Sequence, residues 1–280
     1  MRIIEAGSHL SYARDMSTQA HPLFSCENIR VSVPGRLLVD ELDLTLRRGE
    51  LVAVLGQNGA GKTLTLMTLS GFRSPDAGCV HLLGEDIFRA QRQVTAKHLA
   101  LLPQVVDDIF PATVMDTALI GRHPHVSRFR WESAEDFAIA NDALQTMGLD
   151  GLSARDIFTL SGGERRRLAI AQVLTQTPDV YLLDEPTNHL DPQHQLDTLQ
   201  VFRQAADSGA GIIASVHDAN LAVRFADRCL LLYGDGRWEL GTSKDVLTES
   251  KLSDVFATSM EAVNWRSHKL FVANSDYPAP

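Results

Sequence analysis

The chain has 280 residues, 44% hydrophobic and 22% charged, enough to bury a substantial core and unlike a disordered or fibrous protein. Asp and Glu number 35 against 26 Lys and Arg, a net charge of −9, which excludes a whole-molecule attraction to nucleic acid or anionic lipid. No run reaches the roughly 18 apolar residues that span a bilayer, and Cys26, Cys79 and Cys229 are too widely spaced for a disulfide framework or a zinc site.

Residues 1–22 show no sustained periodicity and carry charge (Arg2, Glu5, Arg14, Asp15) in place of an apolar signal region. They are expected to be a mobile extension of a cytosolic chain. From Phe24, ENIRVSV and ELDLTL alternate; with the Arg48-Gly49 turn and LVAVL they read as antiparallel strands that lead into a glycine loop. Leu64 to Leu69 reads as helix, CVHLL and HLALLP as strands, and residues 112–176 as a mostly helical layer. In that layer Ser133 and Asp136 form a helix start, and Phe137, Ala140, Leu144 and Met147 recur at helical spacing up to Gly148. VYLL and GIIASV, unbroken by charge, predict central parallel strands covered on both faces, and Asp235-Gly236 predicts a hairpin.

The run GQNGAGKT (56–63) follows a strand and opens a helix, the setting of a phosphate-binding loop. Gly56, Gly59 and Gly61 let the backbone turn its N–H groups inward, and the helix start adds partial positive charge for phosphate oxygens. Gln57, Asn58 and Ala60 complete the cradle. Lys62 would neutralise the β- and γ-phosphates, Thr63 would place its hydroxyl on Mg²⁺, and Thr65 follows on the same helix. VYLLDE (180–185) ends an apolar strand in two acids, where open α/β sheets bind ligands. Successive strand side chains point opposite ways, so Asp184 is assigned to the metal shell and Glu185 to the attacking water. LSGGE (160–164) reads as a helix start in which Ser161 and Glu164 form a capping box, while the N–H groups of Ser161, Gly162 and Gly163 stay free as an anion site.

GQNGAGKT, LSGGERRRLAIAQ and VYLLDEPTNHLD, in that order, resemble the nucleotide-binding subunit of ATP-binding cassette (ABC) proteins over about residues 24–260. The resemblance implies an α/β fold, the P-loop NTPase ABC cassette: a RecA-like, mostly parallel core sheet, an antiparallel β subdomain and a helical subdomain at about 105–176. The cassette would run over 23–260, with 261–280 as a C-terminal tail. It further implies ATP and Mg²⁺ as cofactors and Mg-dependent ATP hydrolysis. Gln104 in LLPQ falls where the family senses Mg²⁺ and the attacking water, Asp191 in NHLD on the loop that crosses to the partner subunit, and His217 in SVHD where a histidine contacts the γ-phosphate. The family commonly stacks adenine on an aromatic residue about where Val33 stands. Without that face, worth about 1–3 kcal/mol in nucleic-acid sites, phosphate contacts would dominate affinity and ATP and GTP would be weakly distinguished.

In ABC proteins the LSGGE turn of one subunit covers ATP held on the phosphate loop of the other, so the resemblance implies a homodimer. It also implies transmembrane permease subunits as partners at the cytoplasmic face of the cell membrane, an extracytoplasmic substrate-binding protein as an indirect partner, and no nucleic acid. The stretch LLPQVVDDIFPATVMDTALIGRHPH is similar to ATPases of iron-siderophore, haem and cobalamin importers. An importer ATPase for another small solute and a soluble non-transport ABC ATPase are the alternatives. Outside the motifs, His123 and His125, beside Arg122, Pro124 and Arg128, read as a solvated loop, and Arg165, Arg166 and Arg167 as a helix's solvated face.

Overall fold

The computed structural model describes residues 22–105, 111–127, 131–266 and 268–274; all but the last residue of the expected N-terminal extension lies outside the described residues. Strands β1 (Phe24–Val33), β2 (Arg36–Leu46) and β3 (Leu51–Leu55) precede helix α1 (Lys62–Leu69). Then come β4 (Ala77–Leu82), β5 (Glu85–Asp86), α2 (Arg92–His98) and β6 (Leu99–Leu102). A helical layer follows: α3 (Val114–Leu119), α4 (Ala134–Thr146) and α5 (Gly162–Thr175). Next are β7 (Val180–Leu183), α6 (Pro192–Asp207), β8 (Gly211–Ser215), α7 (Ala219–Phe225), β9 (Arg228–Leu232) and β10 (Trp238–Thr242). The described chain ends in α8 (Ser243–Val246), α9 (Glu249–Phe256), β11 (Met260–Trp265) and β12 (His268–Ala273).

An antiparallel sheet of order β2-β1-β4-β5 packs beside a six-stranded sheet of order β10-β9-β3-β8-β7-β6. In β2 the alternation is clean: Leu42, Leu44 and Leu46 are buried while Glu41, Asp43 and Thr45 face solvent, as a sheet with one wet face requires. β3 corrects the sequence reading. It joins no antiparallel sheet; it pairs in parallel with β8 on one side and β9 on the other. The reason is its composition. All of LVAVL is buried, and a strand without alternation is stable only where both faces are covered. β9 and β10 form the predicted hairpin as an antiparallel pair, with Trp238 opposite Leu232.

α4 begins as predicted, with Ser133 and Asp136 in a reciprocal capping box. Its buried stripe differs: Ala140, Ala143, Leu144 and Met147 are covered, whereas Phe137 is 43% exposed. Asp136 takes the buried place at that end of the stripe, where Arg122 Nε donates to its Oδ1 at 2.8 Å. Arg122 is therefore not in a solvated loop; it is buried and also donates to Thr175 O at 3.1 Å and Thr177 Oγ1 at 3.0 Å. His125 is half-buried with its Nε2 at 2.9 Å from Gln176 O, and burial lowers its pKa below the usual histidine value. Among the described residues of the expected tail, β11 and β12 pair as a hairpin, fastened to α7 by Asn220, whose Nδ2 donates to Phe271 O at 3.1 Å while its Oδ1 accepts from Phe271 N at 2.8 Å.

Candidate nucleotide-binding site

Buried β3 delivers the chain to the glycine loop at a sheet end. Gly56 has no room for a side chain, since a Cβ there would lie 2.7 Å from Leu232 O. Gly61 caps α1 with φ 104°, a conformation that favours glycine. Between them Ala60 N donates to Gln57 O at 3.1 Å, closing the turn. Lys62, the first residue of α1, is 5% exposed. Its Nζ donates to Gly56 O at 2.9 Å and Gln57 O at 3.3 Å and lies 3.9 Å from Glu185 Oε1. Burial lowers its pKa from the usual lysine value, with Glu185 and Asp184 opposing the shift. Thr65 Oγ1 is buried with no hydrogen-bond partner among the described residues.

The two acids leave β7 together and part company at once. Asp184 Oδ1 accepts from Ser215 Oγ at 2.7 Å, and the same Ser215 Oγ accepts from Glu185 N at 2.8 Å. Ser215, the fully buried last residue of β8, was invisible as a functional residue in the sequence; its only signal is a hydroxyl ending an otherwise apolar strand. Glu185 sits at φ 49°, a left-handed conformation uncommon for a non-glycine residue. The turn brings its carboxylate, 4% exposed, among four side chains. Oε2 accepts from Gln104 Nε2 at 2.8 Å and from Asn188 Nδ2, and Oε1 faces His217 Nε2 at 2.5 Å and Lys62.

Lys62, Thr63, Gln104 and Glu185 open on a cleft of about 360 Å³ whose apolar wall includes Val33 and Leu38. Arg36 also lines it, braced by its Nε donating to Gly234 O at 2.9 Å; sequence reasoning missed it because nothing local marks an exposed arginine at the start of a strand. Asn58 and Gly59 bring the phosphate loop to the same cleft.

Ser161, Gly162, Gly163 and Asp191 are not among the residues that line this cleft. Ser161 caps α5 in a reciprocal box: Glu164 N donates to Ser161 Oγ at 3.3 Å, and Ser161 N donates to Glu164 Oε2 at 2.7 Å. The amide of Ser161, expected to be free, is thus taken by the carboxylate, and the anion site reduces to the first-turn amides of Gly162 and Gly163. Asp191 caps α6, accepting from His194 N at 3.0 Å and His194 Nδ1 at 2.8 Å; those bonds hold its carboxyl below the usual range. His194 Nε2 in turn faces Arg167 Nη1 at 2.7 Å, so Arg167 is not part of a solvated face. Nor is Arg166, which is buried among main-chain carbonyls.

A glycine loop between a parallel strand and a helix, a lysine inside it, and a braced carboxylate facing both define a phosphate-loop nucleotide-binding protein. The ABC transporter family matches residues 39–188. The chain is 38% identical over 228 residues to the cobalamin import ATP-binding protein BtuD of Halobacterium salinarum, covering 81% of this chain and 56% of that protein, so it spans little more than half of that relative's length. It is 41% identical over 239 residues to the hemin import ATP-binding protein HmuV of Pseudomonas entomophila, covering 84% of this chain and 92% of that one. Among solved structures, a metal-chelate type ABC transporter in an inward-facing conformation superposes with a TM-score of 0.79 at 27% identity, over 91% of this chain and 99% of the other. The chain belongs to the ABC transporter family. No helix among the described residues is long and apolar enough to cross a membrane.

Proposed function

We propose that the chain hydrolyses ATP as the energy-supplying subunit of a bacterial importer for a metal chelate, an iron-siderophore, haem or cobalamin. The observation that carries this reading is the Glu185 carboxylate, buried and held by Gln104, Asn188 and His217 beside Lys62. The cargo class is supported by the relatives named for cobalamin and hemin import and by the metal-chelate type structure.

In this reading the glycine-loop amides and Lys62 collect the charge of the phosphates, and Val33 and Leu38 give the base an apolar wall. Glu185 orients the attacking water, Gln104 holds Glu185, and His217 meets the γ-phosphate; the catalytic effect is preorganised electrostatics around an in-line displacement. Thr63, Gln104 and Asp184 supply a hydroxyl, an amide oxygen and a carboxylate, the few hard oxygen donors that suit Mg²⁺, which keeps most of its water. When bound, that ion neutralises phosphate charge.

The placement of Ser161, Gly162, Gly163 and Asp191 outside the cleft supports a homodimer in which each copy lends its α5 start to the nucleotide of the other. A groove of about 380 Å³ between Phe72 and Phe88 on one side and Ile120 and Gln176 on the other, with Phe72 68% exposed, offers an apolar seat for a transmembrane permease at the cytoplasmic face of the membrane. The extracytoplasmic binding protein then acts only through that permease. Glu185→Gln should retain ATP binding, lose turnover and accumulate a closed dimer on a sizing column; normal steady-state hydrolysis by this variant would falsify the assignment.

A further inference from the structure

Arg166, 6% exposed, spends its whole guanidinium on main-chain oxygens. Nη1 donates to Pro103 O at 2.8 Å and Gln104 O at 3.2 Å, Nη2 to Asp184 O at 2.8 Å and Glu185 O at 2.7 Å, and Nε to Pro186 O at 3.3 Å. No carboxylate forms an ion pair with it among the described residues; the nearby Asp184 and Glu185 act only at longer range, opposing the burial that depresses its pKa to about 10. A charge taken this far out of water needs its donors satisfied in full, and here the acceptors belong to two chain segments that both carry candidate site residues. The side chains of Gln104 and Glu185 meet on the cleft side at 2.8 Å, and their carbonyls meet behind, on Arg166.

We propose that Arg166 is a positioning residue for ATP hydrolysis: it clamps the backbone of the Gln104 loop to that of Asp184–Pro186 and so sets the Gln104–Glu185 pair. The planar fork is what the site requires, because five carbonyls accept from one side chain, whereas the single ammonium of a lysine is a compact point charge. Arg166 sits on α5, the helix that Ser161 caps, so the clamp ties the pair to that helix. This inference rests on the proposed role of Glu185.

The test uses the full chain with Arg166→Lys and Arg166→Gln, each also combined with Gln104→Ala. Misplacement of a reacting pair by about 1 Å costs on the order of 10²-fold, so kcat is expected to fall about 10- to 100-fold while KM and the affinity for a nonhydrolysable analogue stay within about twofold. In the Gln104→Ala background the same Arg166 change should cost clearly less, since the pair it positions is already gone. Unchanged kcat in either variant, or a loss of equal size in both backgrounds, overturns the proposal. Failure of both variants to fold would assign Arg166 to stability alone and overturn it equally. Normal hydrolysis by Glu185→Gln would instead remove the reading beneath it, so the two failures are distinct.

Discussion

His217 Nε2 lies 2.5 Å from Glu185 Oε1, joining the loop after β8 to the turn after β7 through a nearly buried carboxylate. The two strands are parallel neighbours, with Leu183 in register with Ala214, so the contact is a product of sheet order. Ser215 reinforces it from below by bonding both Asp184 and Glu185.

From that contact, His217→Ala should lower kcat by about 10²-fold, the usual size of a lost general acid–base or electrostatic partner. ATP affinity should change far less. Single-turnover hydrolysis alongside equilibrium binding measures both, and equal loss in the two would contradict the placement.

The buried Arg122–Asp136 pair makes a pH prediction. Hydrogen bonds from Ser133, then Arg122, hold the Asp136 carboxyl down at about 2 against an ordinary 3.8. A depressed acid stabilises the fold fully above its unfolded value and loses that contribution as pH falls through its folded value, so the loss should run from about pH 4 to about pH 2. The contribution is about 2 kcal/mol. Denaturant titrations across this range should show a flatter profile for Asp136→Asn, which should also destabilise the fold at neutral pH by about 3 kcal/mol by leaving a buried guanidinium unpaired.

Val33 lines the cleft where an aromatic face would stack on a base. Val33→Tyr should tighten ATP binding by about 1 kcal/mol, roughly fivefold. The unmodified chain should bind ATP and GTP with similar affinity; competition binding reads out both, and strong ATP selectivity in the unmodified chain would refute the phosphate-dominated account.

Much of the site was legible because its chemistry is local. Glycines at 56 and 61, the lysine after them and the Ser161–Glu164 box carry their geometry within one turn of chain, and the structure forms each as a loop or cap. The nearness of Lys62, Glu185, Gln104 and His217 was not local. It followed from the resemblance in motif order, and its physical cause is the pairing of β3, β8, β7 and β6 side by side.

By itself the sequence determined the periodicities, the caps, the phosphate-loop chemistry and the family. Tertiary structure alone decided that β3 leaves the antiparallel sheet, that Asp136 is buried in place of Phe137, and that Arg166 turns inward. The reason is common to β3, Asp136 and Arg166. A residue's burial depends on which partners the fold brings from distant parts of the chain, and a charged group can be covered only where those partners satisfy its hydrogen bonds.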